Sequence, residues 1–285
     1  MIGPSSSFKR AAQKSTAALR LGPAADGQQS GVAAGDAVPQ SSFDNGLWTN
    51  ISYTHTTDKA LNRVTGGLVD QDKTNVGLGI FGYDRKIVPE FVVGVALAYD
   101  DLNINSGIAN GTHFNTWTLT PYLGYQFNEN VGIDMMAGYS WVNDENDTGA
   151  DGHRTMGSAG INGYLPLGDF NLAGRLGYLY SRSTVDIGLA SGDRLGQLSA
   201  KVELNRPFMF EGSTGGIEPY VAATYEYDTT YEKTAVPYDR NGFVLTLGSR
   251  LYMTDQLNAD IQASTTEGRS NVRNHTILAN LRFMF

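Results

Sequence analysis

The chain lacks several features that would place it in common classes of protein. It has no cysteine among its 285 residues, which suits passage through an oxidising periplasm. It has no run of eighteen apolar residues, so a transmembrane helix is excluded. Charged residues make up only 18%, below the ~25% of an ordinary globular chain. The formal net charge of -8 gives no reason to expect nucleic acid as a partner.

The residues that are abundant favour a β-barrel in a membrane. The chain contains 34 glycines, 15 tyrosines and 12 phenylalanines, and its mean hydropathy of -0.27 is too low for a helical membrane protein. A β-barrel reconciles a membrane location with this low hydropathy, because only alternate residues face lipid and the lumen can remain polar. A soluble β-sandwich also alternates, but it would not explain strands of membrane length.

The last residues of the chain show the alternation most clearly. Apolar side chains occupy every second position from Ile277 to Phe285, and Asn280 and Arg282 fall on the opposite face. A half-buried strand requires this pattern, because successive side chains point to opposite faces. Chain ends usually fray in water, so a terminal phenylalanine on a strand indicates an apolar surrounding such as a bilayer.

From about Gly46 onward, alternating segments of roughly ten residues are separated by turn residues, and this length suits a tilted strand that crosses a bilayer. We therefore predict an all-β fold, a 12-stranded antiparallel transmembrane β-barrel of outer-membrane type. The predicted strands are Leu47–Thr57, Thr74–Asp84, Phe91–Leu102, His113–Phe127, Val131–Asn143, Arg154–Leu165, Phe170–Arg182, Arg194–Asn205, Ile217–Asp228, Gly242–Met253, Leu257–Glu267 and Asn274–Phe285.

The connections between these strands alternate in length and indicate the orientation. Short connections, such as Asn128–Asn130, alternate with longer polar ones, such as Ser183–Asp193. Outer-membrane barrels have short periplasmic turns and longer extracellular loops, so both ends of the barrel are predicted to lie in the periplasm. Two connections depart from this rule: Arg206–Gly216 is long for a periplasmic turn, and Gly268–Arg273 is short for an outer loop.

The segment before the barrel differs in composition. We divide the chain into residues 1–45, a helix and linker, and residues 46–285, the barrel. Ser5–Leu21 predicts a short basic helix with Lys9, Arg10 and Lys14, and Gly22–Ser42 is rich in Ala, Gly, Gln and Pro. The first residues lack the apolar stretch of a secretory signal peptide, so we expect a fragment of a longer precursor or a misplaced start.

The barrel resembles the translocator domain of the classical autotransporters, the type V secretion proteins, over roughly residues 46–285. Matching stretches are GLWTNISYTH in the first strand, TLTPYLGYQF in the fourth, IEPYVAATYEY in the ninth and the terminal LRFMF. In that family a twelve-stranded barrel follows a short helix that sits in the pore and leads to a secreted passenger. Here Gly22–Asn45 separates the helix from the barrel, and the Asn-Asn pair of self-cleaving members is absent.

The resemblance implies an outer-membrane protein that exports or anchors its own passenger polypeptide at the cell surface. Its implied partners are outer-membrane lipid, periplasmic chaperones and the barrel-assembly machinery, which reads an alternating, Phe-terminated last strand. In this chain that assembly signal corresponds to Leu281, Phe283 and Phe285. The resemblance implies no cofactor, no metal and no catalytic residue.

Charged residues on the polar faces of the strands are candidates for the pore wall. They are Asp134, Arg175, Lys201, Glu203, Glu218, Glu226, Arg250, Asp260 and Arg282. In one interpretation their acidic members hold the basic helix at Lys9, Arg10 and Lys14. In the other they satisfy one another as ion pairs, because unpaired buried charge is costly.

Two other functions remain open from the sequence. A passive diffusion pore or structural barrel would not need the N-terminal segment. An outer-membrane hydrolase would need a histidine with a serine or carboxylate partner, and the four histidines, His55, His113, His153 and His275, lie in no catalytic motif. The acidic loop Asn143–His153 lacks the full spacing of a calcium-binding EF-hand, so we expect no metal there.

Overall fold

The computed structural model describes residues 43–59, 72–106, 109–145, 152–185, 193–211, 215–230, 239–269 and 271–285. The predicted N-terminal helix and linker, including Lys9, Arg10 and Lys14, lie outside these residues. In the described part the strands are β1 (Asn45–Asp58), β2 (Asp72–Val88), β3 (Phe91–Ser106), β4 (Ala109–Asn128), β5 (Val131–Asp144), β6 (Gly152–Leu167), β7 (Phe170–Val185), β8 (Asp193–Asn205), β9 (Phe208–Met209), β10 (Gly216–Thr230), β11 (Asn241–Tyr252), β12 (Leu257–Glu267) and β13 (Val272–Met284).

The sheet closes on itself as an antiparallel barrel. The first strand, β1, pairs with β2 on one side and with β13 on the other, and β8 pairs with β10. The closure is completed by the backbone of the two ends, because Asn45 N donates to Phe285 O at 3.1 Å and Phe285 N donates to Asn45 O at 3.0 Å. Apart from the two-residue β9, every strand has two neighbours, so the barrel has no open edge. The predicted twelve-stranded barrel is confirmed.

The two faces of the wall are the reverse of those of a soluble protein. Large apolar side chains point outward and are exposed, for example Ile51 at 65% and Leu247 at 65%. Polar side chains point into the barrel and are buried, for example Asn50 and Thr118 at 0%. This arrangement matches a lipid-facing surface around a polar lumen, as expected from the alternation. No helix in the described residues is long and apolar enough to cross a membrane.

Short turns connect the strands at the end that carries the barrel termini. The β6–β7 turn contains Gly168, whose φ of 65° lies in the left-handed region that favours glycine. In the β11–β12 turn the hydroxyl of Thr254 accepts hydrogen bonds from the backbone N–H groups of Gln256 and Leu257. This end corresponds to the periplasmic side of an outer-membrane barrel.

The long connection Arg206–Gly216 contains an extension of the sheet that the sequence did not reveal. Residues Phe208–Met209 form β9 and pair with the start of β10, and Phe210 N donates to Gly215 O at 2.9 Å. Arg206 forms an ion pair with Asp169 at 3.0 Å, and its guanidinium lies over the rings of Phe170 and Phe208. The described residues of the connection therefore extend the sheet and pack against the neighbouring turn.

Candidate functional site

The described side chains of the lumen include three main clusters of buried charge. The first lies near the periplasmic end, where Asp84 of β2 receives a hydrogen bond of 2.6 Å from Arg282 Nη2 of β13. The hydroxyl of Tyr122 donates to the other Asp84 oxygen at 3.0 Å and accepts from Trp48 Nε1 at 2.7 Å. The cluster thus links strands β1, β2, β4 and β13 across the interior.

Glycine makes room for this first cluster. A Cβ atom at Gly94 would lie 2.2 Å from the ring of Tyr122, and one at Gly82 would lie 2.1 Å from the ring of Trp48. A Cβ atom at Gly46 would meet both Arg282 and Asp84 at 2.7 Å. The small lumenal residues of the sequence therefore accommodate large side chains from neighbouring strands.

The second cluster joins β5, β6 and β7. Arg175 Nη2 donates to one oxygen of Asp134 at 2.7 Å, and its Nε donates to the other at 3.2 Å, which gives a bidentate pair. The side-chain amide of Asn162 also donates to Asp134, at 2.8 Å. The guanidinium lies over Gly160 and Gly177, where no side chain obstructs it. Every group in this cluster is thus held by at least one charged partner.

The third cluster is centred on Arg250 of β11. Its Nη2 donates to Glu203 at 2.6 Å, its Nη1 donates to Glu218, and its guanidinium lies 4.5 Å from the ring centre of Tyr220. Lys201 lies 3.5 Å from the second oxygen of Glu203. The side chains of Glu203, Glu218 and Arg250 are only 0%, 5% and 9% exposed, so their charges are compensated inside the wall rather than by bulk water.

Further polar contacts extend this third cluster along β10 and β12. The Tyr220 hydroxyl lies 3.1 Å from an oxygen of Asp260 and 2.8 Å from the side-chain oxygen of Gln262. Toward the outer end, Arg269 contacts Asp228 at 3.0 Å and Glu226 at 3.5 Å. The β8–β13 side of the lumen is therefore strongly charged along much of its height.

The structure places every charged residue that the sequence proposed for the pore wall on the lumenal face. Asp134 pairs with Arg175, Arg250 pairs with Glu203 and Glu218, and Arg282 pairs with Asp84. Sequence reasoning missed Asp84 and Arg269, both of which complete ion pairs. The lumenal position of Asp84 could not be read from β2 alone, because the apolar Leu78 and Ile80 share its face, and Arg269 follows the end of β12.

The opposite side of the lumen is apolar toward its outer end, which the sequence reasoning did not predict. Val76, Leu78 and Ile80 of β2 are at most 5% exposed, and the outward positions between them are Gly77 and Gly79. The strand register directs these apolar side chains inward, since Val76 pairs with the lumenal Thr54 of β1 and with Leu102 of β3. These side chains form a buried apolar cluster with Ile104, Phe114, Met136 and Val142.

The histidines lie on the outward face near the outer rim, not in the lumen. His55 contacts Asn75 at 2.8 Å, and His113 lies between Asp101 at 2.9 Å and Glu145 at 2.6 Å. His153 belongs to β6 rather than to a loop, and it contacts the Thr184 hydroxyl at 2.8 Å. Within the described ranges none of the four histidines hydrogen-bonds to a serine, and no group of three metal-binding side chains occurs.

Comparisons with known proteins agree with this architecture. Residues 47–155 match the family model described as Autotransporter beta-domain. No curated protein sequence matches the chain. Among solved structures, the β domain of the Bordetella autotransporter BrkA is similar with a TM-score of 0.68 and 12% identity, covering 85% of this chain and 100% of that one.

Two further solved structures share the fold. The translocator domain of the autotransporter NalP from Neisseria meningitidis has a TM-score of 0.65 and 13% identity, with 98% of each chain covered. The transport unit of the autotransporter AIDA-I from Escherichia coli has a TM-score of 0.57 and 14% identity, covering 84% of this chain and 90% of that one.

A closed barrel with an apolar outside and a charged lumen defines the class of protein as an outer-membrane β-barrel. Within that class, residues 47–155 match the autotransporter β-domain model, and the fold is similar to the translocator barrels of BrkA, NalP and AIDA-I.

Proposed function

We propose that this barrel is the outer-membrane translocator of an N-terminally attached passenger, which it exports or anchors at the cell surface. The observation that carries the proposal is the family match combined with a closed barrel whose described strands begin and end at the same rim. A polypeptide that precedes Asn45 thus reaches the barrel at its periplasmic end, and the lumen is its direct route outward. Residues 1–45 serve as the pore helix and passenger junction in this proposal.

The wall of the lumen supports passage rather than chemistry. Its buried charges are paired with one another, as in the Asp134–Arg175 and Glu203–Arg250–Glu218 clusters, so a passing chain meets a compensated surface. We infer that the barrel is not an enzyme, because in the described residues His113 has two carboxylate partners but no serine beside it, so no Ser–His–carboxylate set is assembled. The barrel-assembly machinery and periplasmic chaperones are the proposed partners during insertion, with Leu281, Phe283 and Phe285 as the assembly signal.

An epitope tag at the N-terminus tests the proposal. A secretion signal and the tag are placed ahead of Met1, the chain is expressed in a bacterium, and intact cells are probed with antibody. We expect a surface-exposed tag on a heat-modifiable, assembled barrel. A tag that antibody reaches only after the outer membrane is permeabilised would instead favour a passive diffusion pore, which does not move its N-terminus across the membrane.

A further inference from the structure

Two arginines face each other on the outside of the barrel near its outer rim. Arg182 of β7 and Arg194 of β8 are directly paired in the strand register, and both are exposed. Like charges directly opposite each other on antiparallel strands are destabilising, since their Cβ atoms are only about 5 Å apart. Neither arginine forms an ion pair with any residue in the described part of the chain. The pair therefore leaves two positive charges that no described residue of the barrel compensates.

The height of the pair on the barrel indicates what surrounds these charges. Next to the arginines toward the membrane, Tyr180 of β7 is paired with Gly196 of β8. Tyr178 and Tyr180 are outward-facing and 41% and 39% exposed. Tyrosines of this kind mark the interface between the hydrocarbon and the head groups. One residue pair further out, the arginines lie at the level of the head groups of the outer leaflet.

A polar notch beside the pair adds hydroxyl groups to the site. A Cβ atom at Gly196 would lie 2.6 Å from Thr229 Oγ1, 2.7 Å from Thr230 Oγ1 and 2.7 Å from the Tyr178 hydroxyl. The absence of a side chain at Gly196 therefore leaves three hydroxyls around one point, two residues after Arg194 on the same face of β8. Hydroxyl and guanidinium groups together are donors suited to the oxygen atoms of a phosphate.

Among the described side chains, no carboxylate lies beside the pair on the outward face. On the outward face of β6 and β7, the neighbours of Arg182 are Thr155 and Thr184. The described outward-facing acidic residues of the outer rim lie elsewhere: Asp101 and Glu145 contact His113, and Glu267 pairs with Arg273. The arginine pair is therefore separated from the described carboxylates of the outward rim.

We propose that Arg182 and Arg194, with the hydroxyls beside Gly196, bind a phosphate group of the glycolipid in the outer leaflet. Two adjacent guanidinium groups present several N–H donors to one anion, and this geometry suits a phosphate better than a single positive charge does. A lipid phosphate fits the position better than a free one, because its acyl chains lie along the apolar wall and hold it at this height.

Binding of defined lipids to the purified full-length barrel in non-ionic detergent tests the proposal. The probes are lipid A with two phosphates, the same lipid without phosphates, and sodium phosphate, and occupancy is measured by native mass spectrometry. We expect the phosphorylated lipid to bind at least about tenfold more tightly than the dephosphorylated one, since charge-assisted hydrogen bonds are lost with the phosphates. The R182Q/R194Q double variant loses this preference.

The control variant is R273Q, which removes another exposed arginine of the outer end that already has a partner, Glu267, at 3.9 Å. It is expected to retain the preference for the phosphorylated lipid. A second variant, R182E, places opposite charges across the strands and is expected to abolish the lipid preference while raising the melting temperature of the lipid-free barrel. Heat-modifiability on a gel verifies that each variant has assembled.

Three results would overturn the proposal. Equal affinity for the two lipids would show that the phosphate is not recognised. Competition by sodium phosphate at the same concentration as the lipid would assign the site to a free anion instead. A melting temperature of R182E that is no higher than that of the unchanged barrel would remove the premise that the two arginines repel each other.

Discussion

Replacing Arg250 with methionine should be among the most damaging single changes in the lumen. Arg250 bridges Glu203 and Glu218, and all three side chains are at least nine-tenths buried. The substitution retains much of the side-chain volume but leaves two carboxylates on neighbouring strands without their shared cation. Removing one partner from a buried ion pair costs about 3–5 kcal/mol, because the remaining charge is uncompensated. We expect a loss of this size in the free energy of unfolding.

The assay is the urea midpoint of the barrel in detergent, followed by the loss of heat-modifiability. The matched control is R273M, because Arg273 pairs with Glu267 at 3.9 Å and its side chain is 67% exposed. An exposed pair contributes about 0–1 kcal/mol, so R273M should change little. The triple variant E203Q/E218Q/R250M should recover most of the loss, since no buried charge remains unpaired.

The comparison between these variants shows whether the loss of stability comes from unpaired charge. If R250M lost no more stability than R273M, lumenal water would be compensating the carboxylates and the cluster would not hold the wall together. If the triple variant were as unstable as R250M, the loss would come from packing against Tyr220 rather than from charge.

Three further predictions concern other parts of the barrel. G94A should lower the melting temperature and cost about 1–3 kcal/mol of folding free energy, because the new Cβ would displace the Tyr122 ring. G77A should be neutral, because no atom lies within 4 Å of the added Cβ, and equal effects of the two variants would contradict this account. D134N should shift the ion selectivity of the open pore toward anions in planar bilayers, since Arg175 loses its carboxylate partner, and an unchanged selectivity would mean that the cluster does not line the conducting path. F285A should reduce the heat-modifiable fraction in cells, although alanine can still form the backbone hydrogen bonds to Asn45. Full assembly of this variant would show that the Phe285 ring is not part of the proposed assembly signal.

Strand number and orientation could be read from the sequence because the alternation is strong and local. The twelfth predicted strand, Asn274–Phe285, differs from β13 by only one or two residues at each end, and Leu257–Glu267 is identical to β12. The inward direction of the nine charged side chains proposed for the pore wall also followed, since the period of two fixes one residue's face from that of its neighbours.

The ion-pair partners in the lumen and the inward direction of the apolar side chains of β2 could not be predicted, because both depend on the register between strands. Val76, Leu78 and Ile80 are apolar and would be assigned to lipid from β2 alone, but pairing with β1 turns them inward. The Asp84–Arg282 pair joins residues 198 positions apart, which only the closure of β1 against β13 brings together. The β9 hairpin is too short to carry a periodic signal.

The most direct test of the translocator assignment is a crosslink between the lumen and a stalled passenger. Because the chain has no cysteine, single cysteines can be introduced at the lumenal Ala98 and at its outward neighbour Leu97, which are 3% and 45% exposed. A passenger with a folded reporter that blocks export, and with a single cysteine ahead of residue 45, is expressed and oxidised in cells. We predict a disulfide with A98C and none with L97C. Equal crosslinking of both, or none with A98C, would contradict passage of the polypeptide through this lumen.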